Sequence, residues 1–149
     1  MILSITETMP KKVEVNGIFN NSKINADYIN VILYFENDLT AVINSDWISP
    51  YKEHRFSVLG SKGSLIFDDT KDWPEKLIYN PSLINDNKKI TYKPEIAIHI
   101  KKHEPLKQEI KAFLQSVENK ETPLTNIEEA LNVQIVLNMI EEKLKEEYF

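Results

Sequence analysis

Apolar and polar residues alternate with a period of two through much of the first half of the chain, the pattern of β-strands with distinct faces. Val13 and Val15 alternate with Lys12, Glu14 and Asn16, which predicts a first strand ending near Gly17. From Tyr28 to Phe35 the signal is strongest: Ile29, Val31, Leu33 and Phe35 share one face, and Tyr28, Ile32 and Tyr34 the other. A strand apolar on both faces is usually covered on both. Helices can cover one side; the other then calls for another sheet, another domain or another subunit. Asn20-Asn21-Ser22 has the composition of a turn, and Glu36-Asn37-Asp38 returns the chain into Leu39, Ala41 and Ile43, which alternate with Thr40, Val42 and Asn44. Phe56 to Leu59 and Leu65 to Phe67 flank Gly60-Ser61-Lys62-Gly63, a hairpin signal because glycine accepts the backbone angles that tight turns need. Leu77 to Tyr79 and Lys89 to Tyr92 read as short edge strands around an Asn80 to Asn87 loop.

The period then changes to that of helices. Leu106, Ile110, Phe113, Leu114 and Val117 form the stripe of an amphipathic helix packed on a sheet, with Pro105 tolerated at its start. A second helix is expected to open with a capping box, Thr125-x-x-Glu128. Its main stripe is Ile127, Ala130, Val133 or Gln134, Leu137, Ile140 and Leu144. Leu131, Ile135, Val136 and Met139 widen that stripe until the middle is apolar almost all round, which predicts the central helix of the fold. Strands first and helices last, without βα alternation, predict an α+β fold: a predominantly antiparallel, open-faced β-sheet with two C-terminal helices packed on one face. The 149 residues are expected to form a single domain, 1–149.

Composition narrows the function. The apolar fraction is 42% and the charged fraction 28%, as in an ordinary globular protein, and the formal net charge of −5 argues against a nucleic-acid partner. No apolar run has the length of a membrane span, so no membrane partner is expected. The absence of cysteine excludes disulfide and thiolate chemistry and fits a cytoplasmic location. Gly17, Gly60 and Gly63 are the only glycines, too few and too scattered for a dinucleotide-binding fingerprint or a phosphate loop.

Candidate chemistry is concentrated between Asp46 and Arg55, where Pro50 predicts a loop or sheet edge. Trp47, Lys52, His54 and Arg55, with Tyr51 beside them, can form a binding rim: lysine and arginine grip phosphate or carboxylate, and indole and phenol offer flat faces to a sugar or nicotinamide ring. The competing reading has Trp47 anchoring the loop in the core while the charges face water. His99-x-x-x-His103 with Glu95 and Glu104 has metal-like spacing only on a helix, and the alternation of Ile96, Ile98 and Ile100 between Pro94 and Pro105 predicts extended chain instead. Asp46, Asp68, Asp69 and Asp72 read as turn residues.

W-x-x-P-x-K-x-x-R from Trp47, followed by V-x-G-x-x-G-x-L-x-x-D-D from Val58, resembles the C-terminal domain of the glucose–fructose oxidoreductase / inositol dehydrogenase (Gfo/Idh/MocA) family. The likeness extends to Glu104-Pro105-Leu106…Phe113 and Thr122-Pro123-Leu124-Thr125…Glu129-Ala130, and so covers the chain from about Val13 onward. It implies an NAD(P)-dependent oxidoreductase of a sugar- or cyclitol-like substrate. In such a protein an N-terminal dinucleotide-binding domain holds the cofactor, and the C-terminal sheet supplies a substrate wall and mediates assembly. Only the second part is represented here, so the sequence is expected to be part of a longer protein or one half of a split pair, and Ile2, Leu3 and Ile5 to be the end of a helix preceding the domain. The family's catalytic lysine lies in Glu-Lys-Pro; Glu75-Lys76 is followed by Leu77, and Lys93-Pro94 is preceded by Tyr92, so no catalytic lysine carries over.

The chain alone is therefore expected to bind no cofactor and to be inactive, to form a homo-oligomer through the exposed sheet face, and to work with a missing or separately encoded dinucleotide-binding domain. Two rival readings remain: a stand-alone association module with no enzymatic activity, and a small ligand-binding or hydrolytic enzyme using His54 and Asp46.

Overall fold

The computed structural model describes residues 1–21, 24–84, 89–123 and 125–149. Ser22 of the first predicted turn, 85–87 of the Asn80 to Asn87 loop, and Leu124 lie outside them. The chain divides into two units, 1–49 with 113–149 and 50–112.

The first unit is built on a three-stranded antiparallel sheet in the order β1-β2-β3, from β1 (Lys12–Ile18), β2 (Tyr28–Tyr34) and β3 (Thr40–Asp46). Register follows the period-two pattern: Val15 faces Val31, Val31 faces Ile43, and Leu33 lies between Val13 and Ala41. These residues fall on one face, where Val13, Val15, Val31, Leu33 and Phe35 are buried with Val136. Burying each contributes on the order of 1.5–3 kcal/mol. At the β2–β3 turn Asn37 and Asp38 both have positive φ, 56° and 59°, and the Leu39 amide donates to Glu36 O. Asn and Asp accept that conformation more readily than other non-glycine residues, and it matches the twist of the strands.

Two helices cover the buried face. The short α1 (Ile2–Thr6) places Ile2 and Leu3 against the core, so the start of the chain is helical as the resemblance implies. From the long α3 (Ile127–Tyr148), Val136, Met139, Ile140 and Leu144 pack on the same core. These contacts begin near the middle of α3 and run toward its C-terminal end. Ile127, Leu131, Val133, Ile135 and Leu137 are exposed, so the helix is not enclosed all round.

On the second face of β2, Tyr28, Asn30, Ile32 and Tyr34 are only partly buried. Its tyrosines are half-buried and hydrogen-bonded across the strands: Tyr34 donates to Glu14 Oε2 (2.8 Å) and Tyr28 to Asn44 Oδ1 (2.9 Å). The hydroxyls give a row that reads as apolar a way to remain at a partly wet surface.

The second unit holds a four-stranded antiparallel sheet, β4-β5-β6-β9, from β4 (Arg55–Gly60), β5 (Gly63–Asp68), β6 (Leu77–Asn80) and β9 (Ile96–Ala97). Leu77 to Tyr79 is thus not an edge: β6 has β5 on one side and β9 on the other. β7 (Leu83–Ile84) and β8 (Ile90–Thr91) pair as a separate ribbon. Phe56 opposes Phe67, and Val58 opposes Leu65, which opposes Tyr79 in turn, so one face of this sheet is apolar. None of its described apolar residues is buried.

α2 (Pro105–Asn119) spans both units and has the predicted stripe, yet no residue in it is buried; Phe113 is 63% exposed. The pattern identifies a face suited to burial, but an amphipathic stripe does not name its cover. The α+β class and the antiparallel sheets are as predicted, with α3 the helix packed on the first sheet.

Candidate functional site

In the first unit the site begins at the end of the central strand. Asp27 lies one residue before β2, in phase with the inward row Ile29, Val31 and Leu33, and has no solvent exposure. Its amide donates to Ile18 O (2.7 Å) and its carbonyl accepts from the Trp47 amide (3.3 Å), which carries the sheet one residue beyond its strands. The carboxylate is fully engaged. Oδ2 accepts from the amides of Asn20 (2.7 Å) and Asn21 (2.8 Å), while Oδ1 accepts from Asn21 Nδ2 (3.1 Å) and Trp47 Nε1 (2.9 Å). These bonds, the Asn21 amide foremost, hold its pKa below the usual carboxylate range against the opposing effect of burial.

Trp47 follows β3 directly. The indole N–H is anchored inward on Asp27, while the residue is 68% exposed, so the ring is not packed into the core. Asp46 shapes the next turn by accepting from the Ser49 amide (2.6 Å).

In the second unit His54 and Arg55 stand at the start of β4, opposite the end of β5. Arg55 donates to Asp68 Oδ2 (3.3 Å), and His54 Nδ1 lies 3.4 Å from Asp69 Oδ2. Asp68 is nearly buried and also accepts from Thr70 Oγ1 (2.6 Å) and the Thr70 amide (3.0 Å). Those bonds, with Arg55 beside them, lower its pKa. Asp69 is lowered too, first by Lys76, whose Nζ donates to Asp69 Oδ1 (2.6 Å) and Asp69 O (2.8 Å), then by His54. The Lys76 ammonium also lies 5.3 Å from the Trp73 ring centre. The Glu75-Lys76 lysine is therefore a structural tie at the base of the hairpin.

Arg55 thus has its charge partly matched by Asp68, although its five N–H donors leave some for an outside anion. Lys52 is exposed and makes no ion pair among the described residues. Within the second unit, Asp69 is the carboxylate neighbour of His54. His99 and His103 lie in non-helical chain ahead of α2, as the proline spacing predicts. Among the described residues no three His, Asp or Glu side chains converge as a metal site. A groove of about 680 Å³ lies between α1 and the start of α3, lined in part by Leu3, Met9 and Val133 and by none of the predicted site residues.

The sequence reading missed Asp27 because an aspartate near an Asn-rich turn looks like turn chemistry. The available signal was its phase: 27, 29, 31, 33 and 35 form one inward row, and a carboxylate on such a row needs partners.

No curated protein matches the sequence. Among solved structures the fold is similar to UDP-N-acetylglucosamine 3-dehydrogenase GnnA from Acidithiobacillus ferrooxidans in two crystal forms, each at a TM-score of 0.71 and 16% identity. Each match covers 95% of this chain and 44% of that one, so this chain spans less than half the length of that enzyme. At this identity the likeness is one of fold. A family model described as "Oxidoreductase family, C-terminal alpha/beta domain" matches residues 2–147, so the chain belongs to the Gfo/Idh/MocA oxidoreductase family, of which it carries the C-terminal α/β domain.

Proposed function

We propose that this chain is the substrate-binding and oligomerisation domain of an NAD(P)-dependent oxidoreductase acting on a sugar- or cyclitol-like alcohol, and is inactive alone. The observation that carries this reading is the family match over residues 2–147. NAD(P) belongs to a dinucleotide-binding domain outside this sequence; the three glycines here offer no fingerprint for it.

Each unit contributes its own candidate contacts. In the first, Trp47 presents an aromatic ring; in the second, Lys52 and Arg55 supply positive charge and His54 a hydrogen-bonding imidazole. The substrate in GnnA's name makes a sugar nucleotide the first ligand to test, since a guanidinium and an ammonium suit its phosphates.

Calorimetric titration of the purified chain separates the parts of this reading. NAD+ and NADP+ are expected not to bind, and tight binding of either contradicts the assignment of the cofactor to another domain. UDP-N-acetylglucosamine is expected to bind weakly, and Arg55→Ala to weaken it about tenfold, the loss expected when a charged hydrogen bond is removed. A titration indifferent to Arg55 and Lys52 would remove them from the site. The stand-alone association module is the second reading, favoured by Val42, 59% exposed on the uncovered face of the first sheet.

A further inference from the structure

A buried carboxylate that grips an exposed ring is an unusual use of a charge. Ionised carboxylates are costly to bury unless hydrogen-bonded, and Asp27 meets that condition with four donors from two stretches of chain. Three of them close the Asn20–Asn21 turn. The fourth is the indole of Trp47, and it does not serve the core, because Trp47 is 68% exposed and absent from the hydrophobic cluster. An indole retained for packing would bury its rings. Here the N–H points inward and most of the residue faces out.

That arrangement limits what the ring can do. Its single donor is consumed by Asp27, so the outward surface offers only π faces and C–H edges. It can stack but cannot donate. Its orientation is fixed from two sides: by the backbone bond from the Trp47 amide to Asp27 O and by the indole bond to Asp27 Oδ1, so little freedom is left to lose on binding.

We propose that Asp27 is a positioning residue that presents Trp47 as a fixed stacking surface for the C–H face of a sugar- or cyclitol-like ring. This rests on the substrate class proposed above and adds the residue that fixes the contact.

Saturation-transfer NMR on the full chain, with methyl β-glucoside and myo-inositol as probes, tests it. Wild-type protein binds at least one probe, and Trp47→Ala abolishes the signal. Asp27→Asn keeps the side-chain shape but replaces one acceptor oxygen with a donor. Trp47→Phe keeps an aromatic face but removes the N–H that Asp27 holds. Both are expected to weaken binding about tenfold, with amide dispersion retained and, in Asp27→Asn, faster solvent exchange of the Trp47 indole proton. If both variants bind as wild type does, the positioning role is overturned while the substrate class stands. If wild-type protein binds neither probe, substrate class and positioning role fall together. Should Asp27→Asn fail to fold, Trp47→Phe decides alone.

Discussion

Gly63 closes the β4–β5 hairpin at a φ of +138°, and a Cβ there would meet Asn80 O at 2.5 Å and the Tyr79 ring at 2.7 Å. Both backbone strain and a collision with the neighbouring strand oppose any side chain. Gly63→Ala is expected to cost about 1–3 kcal/mol or more in urea unfolding. Gly60, where the nearest atom to an added Cβ is 3.6 Å away, tolerates alanine within about 0.5 kcal/mol. The pair of glycines was legible in the sequence, but which of them is indispensable depends on Asn80 and Tyr79, which sequence distance hides. The aspartates make a further statement at this scale. Asp27, Asp68 and Asp69 all have folded pKa values below the ordinary one, through the bonds from Asn21, Thr70 and Lys76 respectively. A lowered folded pKa adds stability that is fully present above the unfolded value, near 3.9, and is lost as pH falls through the folded value. Urea midpoints are therefore expected to stay level from pH 7 to about 5 and to fall below about pH 4. Asp69→Asn should flatten the acid limb; an unchanged limb would remove Asp69 from that account.

At the scale of elements, the start of α3 shows how two valid local patterns compete. Thr125-x-x-Glu128 and Asn126-x-x-Glu129 are offset by one residue, and the second wins: Asn126 is extended (φ −95°, ψ 176°) and its side chain accepts from the Glu129 amide at 2.9 Å. Asn126→Ala is expected to cost about 1 kcal/mol and Thr125→Ala less than about 0.5 kcal/mol, read by thermal unfolding. The reverse ranking would restore the capping box. The longer strands were legible because alternation over five or more residues is hard to produce otherwise, as Lys12 to Asn16 and Ile29 to Phe35 show. β7 and β9, two residues each, have no room for a period, and β6 gains its second neighbour only from β9, far along the chain. The stripes of α2 and α3 were legible as stripes. Their burial was not, since Val136 is buried while Ile135 and Leu137 beside it are exposed.

At the scale of the whole molecule, the surface to account for is the uncovered face of the first sheet. Its centre is the cross-strand pair Ile32 and Val42, with Val42 59% exposed. Polar groups flank it: Tyr28 and Asn30 both donate to Asn44 Oδ1, and Lys12 lies 2.6 Å from Glu14, which accepts from Tyr34. An apolar centre within a satisfied polar rim is the anatomy of a protein–protein interface. Pairing of this face with the same face of a second copy would place the two about a two-fold axis. Light scattering of the chain at micromolar concentration is thus expected to give a dimer or larger, with Val42→Lys shifting it to monomer. Because Val42 is mostly exposed, its Tm measured at low protein concentration should not change. The two measurements have to be read together. A monomer at wild type removes the sheet-face interface and the stand-alone association reading with it, whereas an assembly that survives Val42→Lys must be held elsewhere, with the exposed stripe of α2 next in line for substitution at Phe113.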